Sequence, residues 1–193
     1  MKRNTFDKIV TFVGFGLAVF LLIGAGLLNW GATFASGTVA SQLKAQEITI
    51  PIDNGDPNAD AATVAFFKEN GKSVMSTGKQ AQMYADHYIG FHLSGMPKYS
   101  SATGLARAAA GALAMDPTNP DLQAALDKAN ATVESVFKGE SLRGMLLNAY
   151  AFGTIGEIAA IAAKVTFGGA VVMFLFVIAG IRNIRRTPLD ATI

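Results

Sequence analysis

The sequence predicts an all-α membrane protein in which two transmembrane helices flank a helical extracytoplasmic domain, the second span continuing from a long helix. Three observations predict it. Residues 9–28 are twenty in a row without a charge, enough at about 1.5 Å per residue to cross a hydrocarbon core of about 30 Å. Residues 142–186 run for 45 positions without a proline, and a continuous helix there would be roughly 67 Å long, its second half apolar enough to span. The chain as a whole is 51% hydrophobic with mean hydropathy +0.34 over 193 residues, more apolar than a soluble domain of this size.

The expected organisation is a cytoplasmic tail (1–8), a first span (9–28), an extracytoplasmic helical domain (29–157), a second span (158–181) and a second cytoplasmic tail (182–193). Charge sets the orientation. The tails hold six basic residues (Lys2, Arg3, Lys8, Arg182, Arg185, Arg186) against Asp7 and Asp190, a net +4. The remainder holds ten basic and twelve acidic residues, a net −2. Cytoplasmic flanks concentrate Lys and Arg, so both termini are expected inside the plasma membrane. The basic balance therefore reports topology, and without a basic patch interleaved with aromatics it gives no reason to expect nucleic acid. A secretory signal is the rival reading of the first apolar run, since Lys2, Arg3 and Lys8 precede it. Signal h-regions are usually about 7–15 residues and end at a small-residue site, so the run is read as a retained helix.

Taken in order, Asn4 or Thr5 is placed to cap the first helix, with Asp7 in its first turn. Gly14, Ala18 and Ala25 fall near one face, and small residues let membrane helices approach closely. Trp30 sits where an interfacial anchor belongs. The helix can continue to about Gln46. Ile48, Ile50 and Ile52 then alternate, which suits an extended strap with one buried face, and NGDPN at 54–58 reads as a turn. Asp60 is expected to cap a helix over 61–69 that Asn70 and Gly71 stop. Thr77 and Gln80 form a capping box for a helix from Lys79 to about Leu93, closed by Gly95 and Pro97. Ser100 or Ser101 opens an alanine-rich helix to about Met115. Asn119, Pro120 and Asp121 make a strong helix start. That helix carries Leu122, Ala125, Leu126, Ala129, Val133, Val136 and Phe137 on one amphipathic face, and Gly139 is expected to close it. The segment 114–129 resembles a tetratricopeptide junction, but no second copy follows at the period of about 34 residues, so a repeat array is not expected.

The chemistry-bearing residues are few. The chain has no cysteine, which excludes disulfides, thiolate metal sites and a Cys nucleophile. Its two histidines, His87 and His92, stand about 140° apart on a helix and do not form the i, i+4 pair of a zinc helix. Tyr84, His87, Tyr88 and Phe91 line up at helical spacing, a stripe expected to serve as core or interface. Glu157 and Lys164 interrupt the apolar run before the second span and share a face. Intramembrane charges are functional candidates. At the outer end, level with Asn29 and Trp30, a lysine can instead snorkel to the headgroups. No phosphate loop, nucleophile elbow or HExxH occurs, so no catalytic residue, cofactor or metal is expected. The candidates for partner contact are Gly14, Ala18, Ala25, Trp30, Tyr84, His87, Tyr88, Phe91, Glu157 and Lys164.

The segments RNTFDK, GLLNWGATFAS, TGKQAQMYADHYIGFHL and FKGESLRGMLLNAYAFGTIG resemble a family of small two-span membrane proteins of actinobacteria, often labelled aromatic ring-opening dioxygenases. The dioxygenase label fits the residues poorly, because a non-haem iron oxygenase needs two histidines and a carboxylate on one metal with open positions. Two spans with small-residue faces, an aromatic-rich outer helical domain and no catalytic set point to a non-catalytic accessory subunit of a larger membrane assembly, and the resemblance implies a narrower place for it, the actinobacterial cytochrome bcc–aa3 supercomplex, with cytochrome bcc and cytochrome c oxidase subunits as partners alongside the bilayer. A different class stays open: a stand-alone envelope protein whose outer helical domain binds a ligand or peptide, as a sensor or chaperone. A metal enzyme using His87 and His92 is the third class.

Overall fold

Two apolar helices of very different length carry the chain. The computed structural model describes residues 2–188 and residue 191. Helices run over Arg3–Ala45 (α1), Ala61–Asn70 (α2), Gly78–Met83 (α3), Gly90–Ser94 (α4), Tyr99–Met115 (α5) and Pro120–Arg186 (α6), with a π-helical segment, Tyr84–Ile89, joining α3 to α4. Among the described residues no strand occurs; Thr49 and Val74 form an isolated antiparallel bridge. The chain divides into two compact units: Met1–Gly37 with Thr154–Ile193, and Thr38–Gly153.

The first unit is an antiparallel pair made from α1 and the C-terminal part of α6. Its buried positions fall on a seven-residue period: Ala18, Ala25 and Ala32 on α1, with Asn4 two periods earlier, and Gly156, Ala163, Ala170 and Val177 on α6. A seven-residue repeat keeps one seam facing its partner along the whole pair, and alanine and glycine on that seam allow close approach. A methyl group added at Gly156 would meet Ala35 Cβ at 3.2 Å, and one added at Gly14 would meet Val177 Cγ2 at 3.5 Å. Between these levels Phe15 meets Phe174 edge-on at 6.2 Å. At the terminal end Asn183 Nδ2 donates to Asp7 Oδ2 at 3.0 Å. The outward faces are apolar, with Phe12, Phe20, Val165 and Phe176 largely exposed. Only 11% of the most apolar window of α1 and 17% of that of α6 is buried. Both helices are long and apolar enough to cross a membrane.

The second unit has its own core: Val39, Leu43, Ile50, Phe67, Met75, Ala81, Ala85, Ile89 and Leu146, with Leu142, Leu147 and Ala149 against it. Residues 142–149 of α6 are thus the wall on which α2, α3 and the π segment assemble. The caps are local and conform to the expectation. Asp60 caps α2. Thr77 and Gln80 form the complete capping box of α3. Asn119 Oδ1 accepts from the N–H groups of Asp121 and Leu122 at the start of α6.

Five expectations are corrected. The first helix begins at Arg3, so Asn4 and Thr5 lie inside it. Asn4 turns inward, its Nδ2 donating to the Ile184 carbonyl at 3.5 Å. The alternation 48–50–52 ends at Pro51. Ile50 is buried and its N–H donates to Ser73 O at 3.0 Å, but the chain bends at Ile52, which is 60% exposed. The alanine-rich helix starts at Tyr99 with Lys98 before it and no side-chain cap. The helix from Lys79 to Leu93 is interrupted by the π segment. Gly139 does not end a helix, because α6 runs through it. It is small because Leu93 of α4 comes down there: a β-carbon at Gly139 would lie 2.7 Å from Leu93 Cδ2.

Candidate functional site

The polar and aromatic side chains of the second unit converge on the π segment, Tyr84–Ile89. A π turn carries one residue more than an α turn and recurs at functional sites. Here the extra residue splits the expected stripe. Tyr84, Tyr88 and His92 line up in a column with their rings tilted to one another, centroids 4.8 Å and 4.5 Å apart, and Phe91 meets His92 edge-on at 5.6 Å. His87 leaves the stripe and turns toward α2, its Nδ1 lying 3.5 Å from Thr63 Oγ1. Tyr84 and Tyr88 are partly buried and pack against the core. Burial, with Tyr88 adding to it, pushes the Tyr84 phenol above its ordinary value of 10.0.

Thr63 links two titratable groups. It is buried, and its N–H and hydroxyl donate to Asp60 Oδ1 and Oδ2 at 2.9 Å each. These bonds, the backbone one first, hold the Asp60 carboxyl below its ordinary value of 3.8, and His87 contributes least. The neighbouring turn closes on the same segment. Buried Asn54 donates through Nδ2 to the His87 carbonyl at 3.2 Å. Gly55, at φ +79°, takes the left-handed conformation that glycine adopts without cost, and a β-carbon there would meet His92 Cε1 at 3.5 Å. On the other side Arg143 Nη2 pairs with Asp86 Oδ1 at 3.1 Å, while its buried Nε has no partner. Chemically the arrangement locks a turn, a helix N-terminus and a π turn together. Among the described residues, no three His, Asp or Glu side chains converge as a metal set would.

The Asp60–Thr63 link gives a pH test. A carboxylate held below its ordinary value stabilises the fold above that value and loses the contribution as pH falls through the folded one. Asp60→Asn keeps a competent cap but removes the charge. The thermal midpoint of the variant is therefore expected below that of the parent at pH 7, with the gap narrowing as pH falls below 3.8. A gap independent of pH would refute the assignment.

The other candidates lie elsewhere. Ala18 and Ala25 are buried in the α1–α6 seam and Gly14 packs on Val177 and Met173, so this small face is covered within the chain. Trp30 is 68% exposed and stacks on Phe34 at 5.9 Å. Glu157 and Lys164 are exposed on α6. They do not lie level with Asn29 and Trp30 but bracket them. Gly156 faces Ala32 and Ala35, and Thr166 faces Gly24, which puts Glu157 near Phe34 and Lys164 near Gly26.

Three features were not legible as sites. Thr63 and Asn54 are polar residues whose burial depends on the fold. A groove of about 250 Å³ between α5 and α6 is lined by Ala102, Leu105, Ala125, Lys128, Ala129 and Thr132. The α6 half of the seam could have been found from its own signal, small residues at 156, 163 and 170. No protein-family model, curated protein or solved structure matches this chain.

Proposed function

We propose that this chain is a non-catalytic accessory subunit of a larger membrane protein complex. In this reading α1 and the C-terminal part of α6 cross the plasma membrane with both termini cytoplasmic. The Lys and Arg of the tails support that orientation. The unit at 38–153 is extracytoplasmic. The observation that carries the reading is the bare apolar surface of the α5–α6 hairpin. Leu105 is 60% and Met115 88% exposed along α5, and at its start Tyr99 and Phe137, also exposed, meet at 6.0 Å. Apolar side chains grouped on the surface of a small domain mark a face that a partner covers. The resemblance of four segments to the actinobacterial two-span family narrows the partner to the cytochrome bcc–aa3 respiratory supercomplex.

The test is affinity purification of the C-terminally tagged chain from native membranes in mild detergent, read by mass spectrometry and visible absorption. Haem bands and cytochrome subunits in near-stoichiometric amount are the expected result. A colourless protein recovered alone would remove the respiratory reading.

The α5–α6 groove favours a second reading, a stand-alone envelope protein that takes an apolar ligand or peptide on its outer domain. Most of its lining is alanine and leucine, with Lys128 and Thr132 as polar groups, the mixture a small binding site uses. Saturable binding of an apolar fluorophore to the purified chain, lost in Ala129→Phe, is its expected signature.

A further inference from the structure

On α6, the positions Glu157, Ile161, Lys164, Gly168, Val171 and Leu175 alternate at spacings of four and three, and all six are exposed. At about 100° per residue they form one straight stripe, roughly 120° around the helix from the seam that holds α1. Glu157 and Lys164 have no ion-pair partner in the chain among the described residues; only Lys138 with Glu134, and Arg143 with Asp86 and Glu140, form such pairs. Being seven residues apart, the two cannot reach each other. Gly168 has nothing within 4 Å of where its β-carbon would be, so it leaves a notch in the middle of the stripe.

Depth sharpens the point. The uncharged stretch of α6 is 165–181, seventeen residues, or about 25 Å, less than the hydrocarbon core of about 30 Å. Lys164 therefore sits at the margin of the apolar layer, where its ammonium can reach the headgroups or meet an opposite charge on a neighbouring helix.

We infer that this stripe is the docking line for one transmembrane helix of a different subunit, carrying a carboxylate level with Lys164 and a basic residue level with Glu157, and crossing closest at Gly168. The inference rests on the accessory-subunit reading and names where that subunit is gripped. A second copy of this chain does not fit. Two copies share one orientation in the membrane, so a two-fold pairing along this stripe sets Glu157 against Glu157 and Lys164 against Lys164. The stripe is self-repelling and calls for an unlike partner.

The experiment uses the full chain in native membranes. Because it has no cysteine, a single introduced thiol is unique. Gly168→Cys carrying a benzophenone photo-crosslinker is expected to join the chain to another membrane subunit. Phe176→Cys, about 80° round the same helix and two turns further along, is expected to give only lipid adducts. In parallel, Lys164→Glu is expected to lower co-purifying subunits at least tenfold at unchanged membrane content and unchanged Trp30 emission, and Lys164→Arg to restore them. Crosslinking of Gly168→Cys to a second copy of the chain would overturn the inference. So would no crosslink while subunits still co-purify, and that result would leave the accessory reading standing. Failure of the unmodified chain to bring down any subunit would remove both.

Discussion

Phe67→Ala is expected to be the most damaging single truncation in the second unit. Phe67 is fully buried, meets Phe66 edge-on at 5.6 Å, and belongs to the core that joins α2 to α3, the π segment and α6. Removing a buried phenylalanine costs about 3–5 kcal/mol through lost transfer energy and the cavity left behind. For a chain of this size each kcal/mol lowers the midpoint by about 2–4 °C. The readout can be assigned to a unit. All four tyrosines, at 84, 88, 99 and 150, lie in the second unit, and the single tryptophan, Trp30, lies in the first. Near-ultraviolet circular dichroism of the tyrosines in detergent should therefore melt roughly 6–20 °C earlier, while Trp30 emission keeps the parent transition. An unshifted tyrosine transition would mean that Phe67 is not in the core.

Gly71→Ala is expected to be nearly as harmful although it adds one carbon. Gly71 ends α2 at φ −57°, ψ 143°, a conformation open to any residue, so the cost is steric. The added carbon would fall 2.5 Å from Ile52 Cγ2, 2.8 Å from Ile52 Cα and 2.8 Å from the Phe67 carbonyl oxygen. Two of those atoms are backbone and cannot rotate away. The strap must lift off α2, which pulls on the pairing of Ile50 with Ser73 and Lys72. Overpacking of this kind costs about 1–3 kcal/mol. Gly104→Ala is the internal comparison. Gly104 lies inside α5 with nothing within 4 Å, and an alanine in a helix interior is favoured over glycine by about 1 kcal/mol. The two glycine-to-alanine changes should thus move the thermal midpoint in opposite directions, and equal shifts would contradict the packing described.

The elements that could be read from the sequence are those whose signals act within four residues. Asp60 with the Thr63 N–H, Thr77 with Gln80, and Asn119 with the N–H groups of Asp121 and Leu122 each close their hydrogen bonds locally, so residue type and spacing suffice. The two long apolar helices were legible because length and absence of charge are one-dimensional properties. What was missed depends on residues far apart in the chain. Gly139 has the chemistry of a stop, and only the arrival of Leu93, 46 positions earlier, explains it as a contact. The π segment cannot be told from an α-helix by side-chain pattern alone, and its extra residue moved His87 off the expected stripe and brought His92 into it. Gly14, Ala18 and Ala25 were recognised as a small face. Their partner was unknown because the matching residues lie more than 120 positions away.

That separation imposes an order of events during synthesis. Ala32, the last small residue of the first half of the seam, leaves the ribosome 124 residues before Gly156, the first of the second half. At about 5–20 residues per second the interval is roughly 6–25 s. The core of the second unit and the residues packed on it lie within 39–149, so all of it has been made before the seam can close. The helical pair is the last structure to form, and α1 must outlast the making of the whole second unit with its alanine face bare.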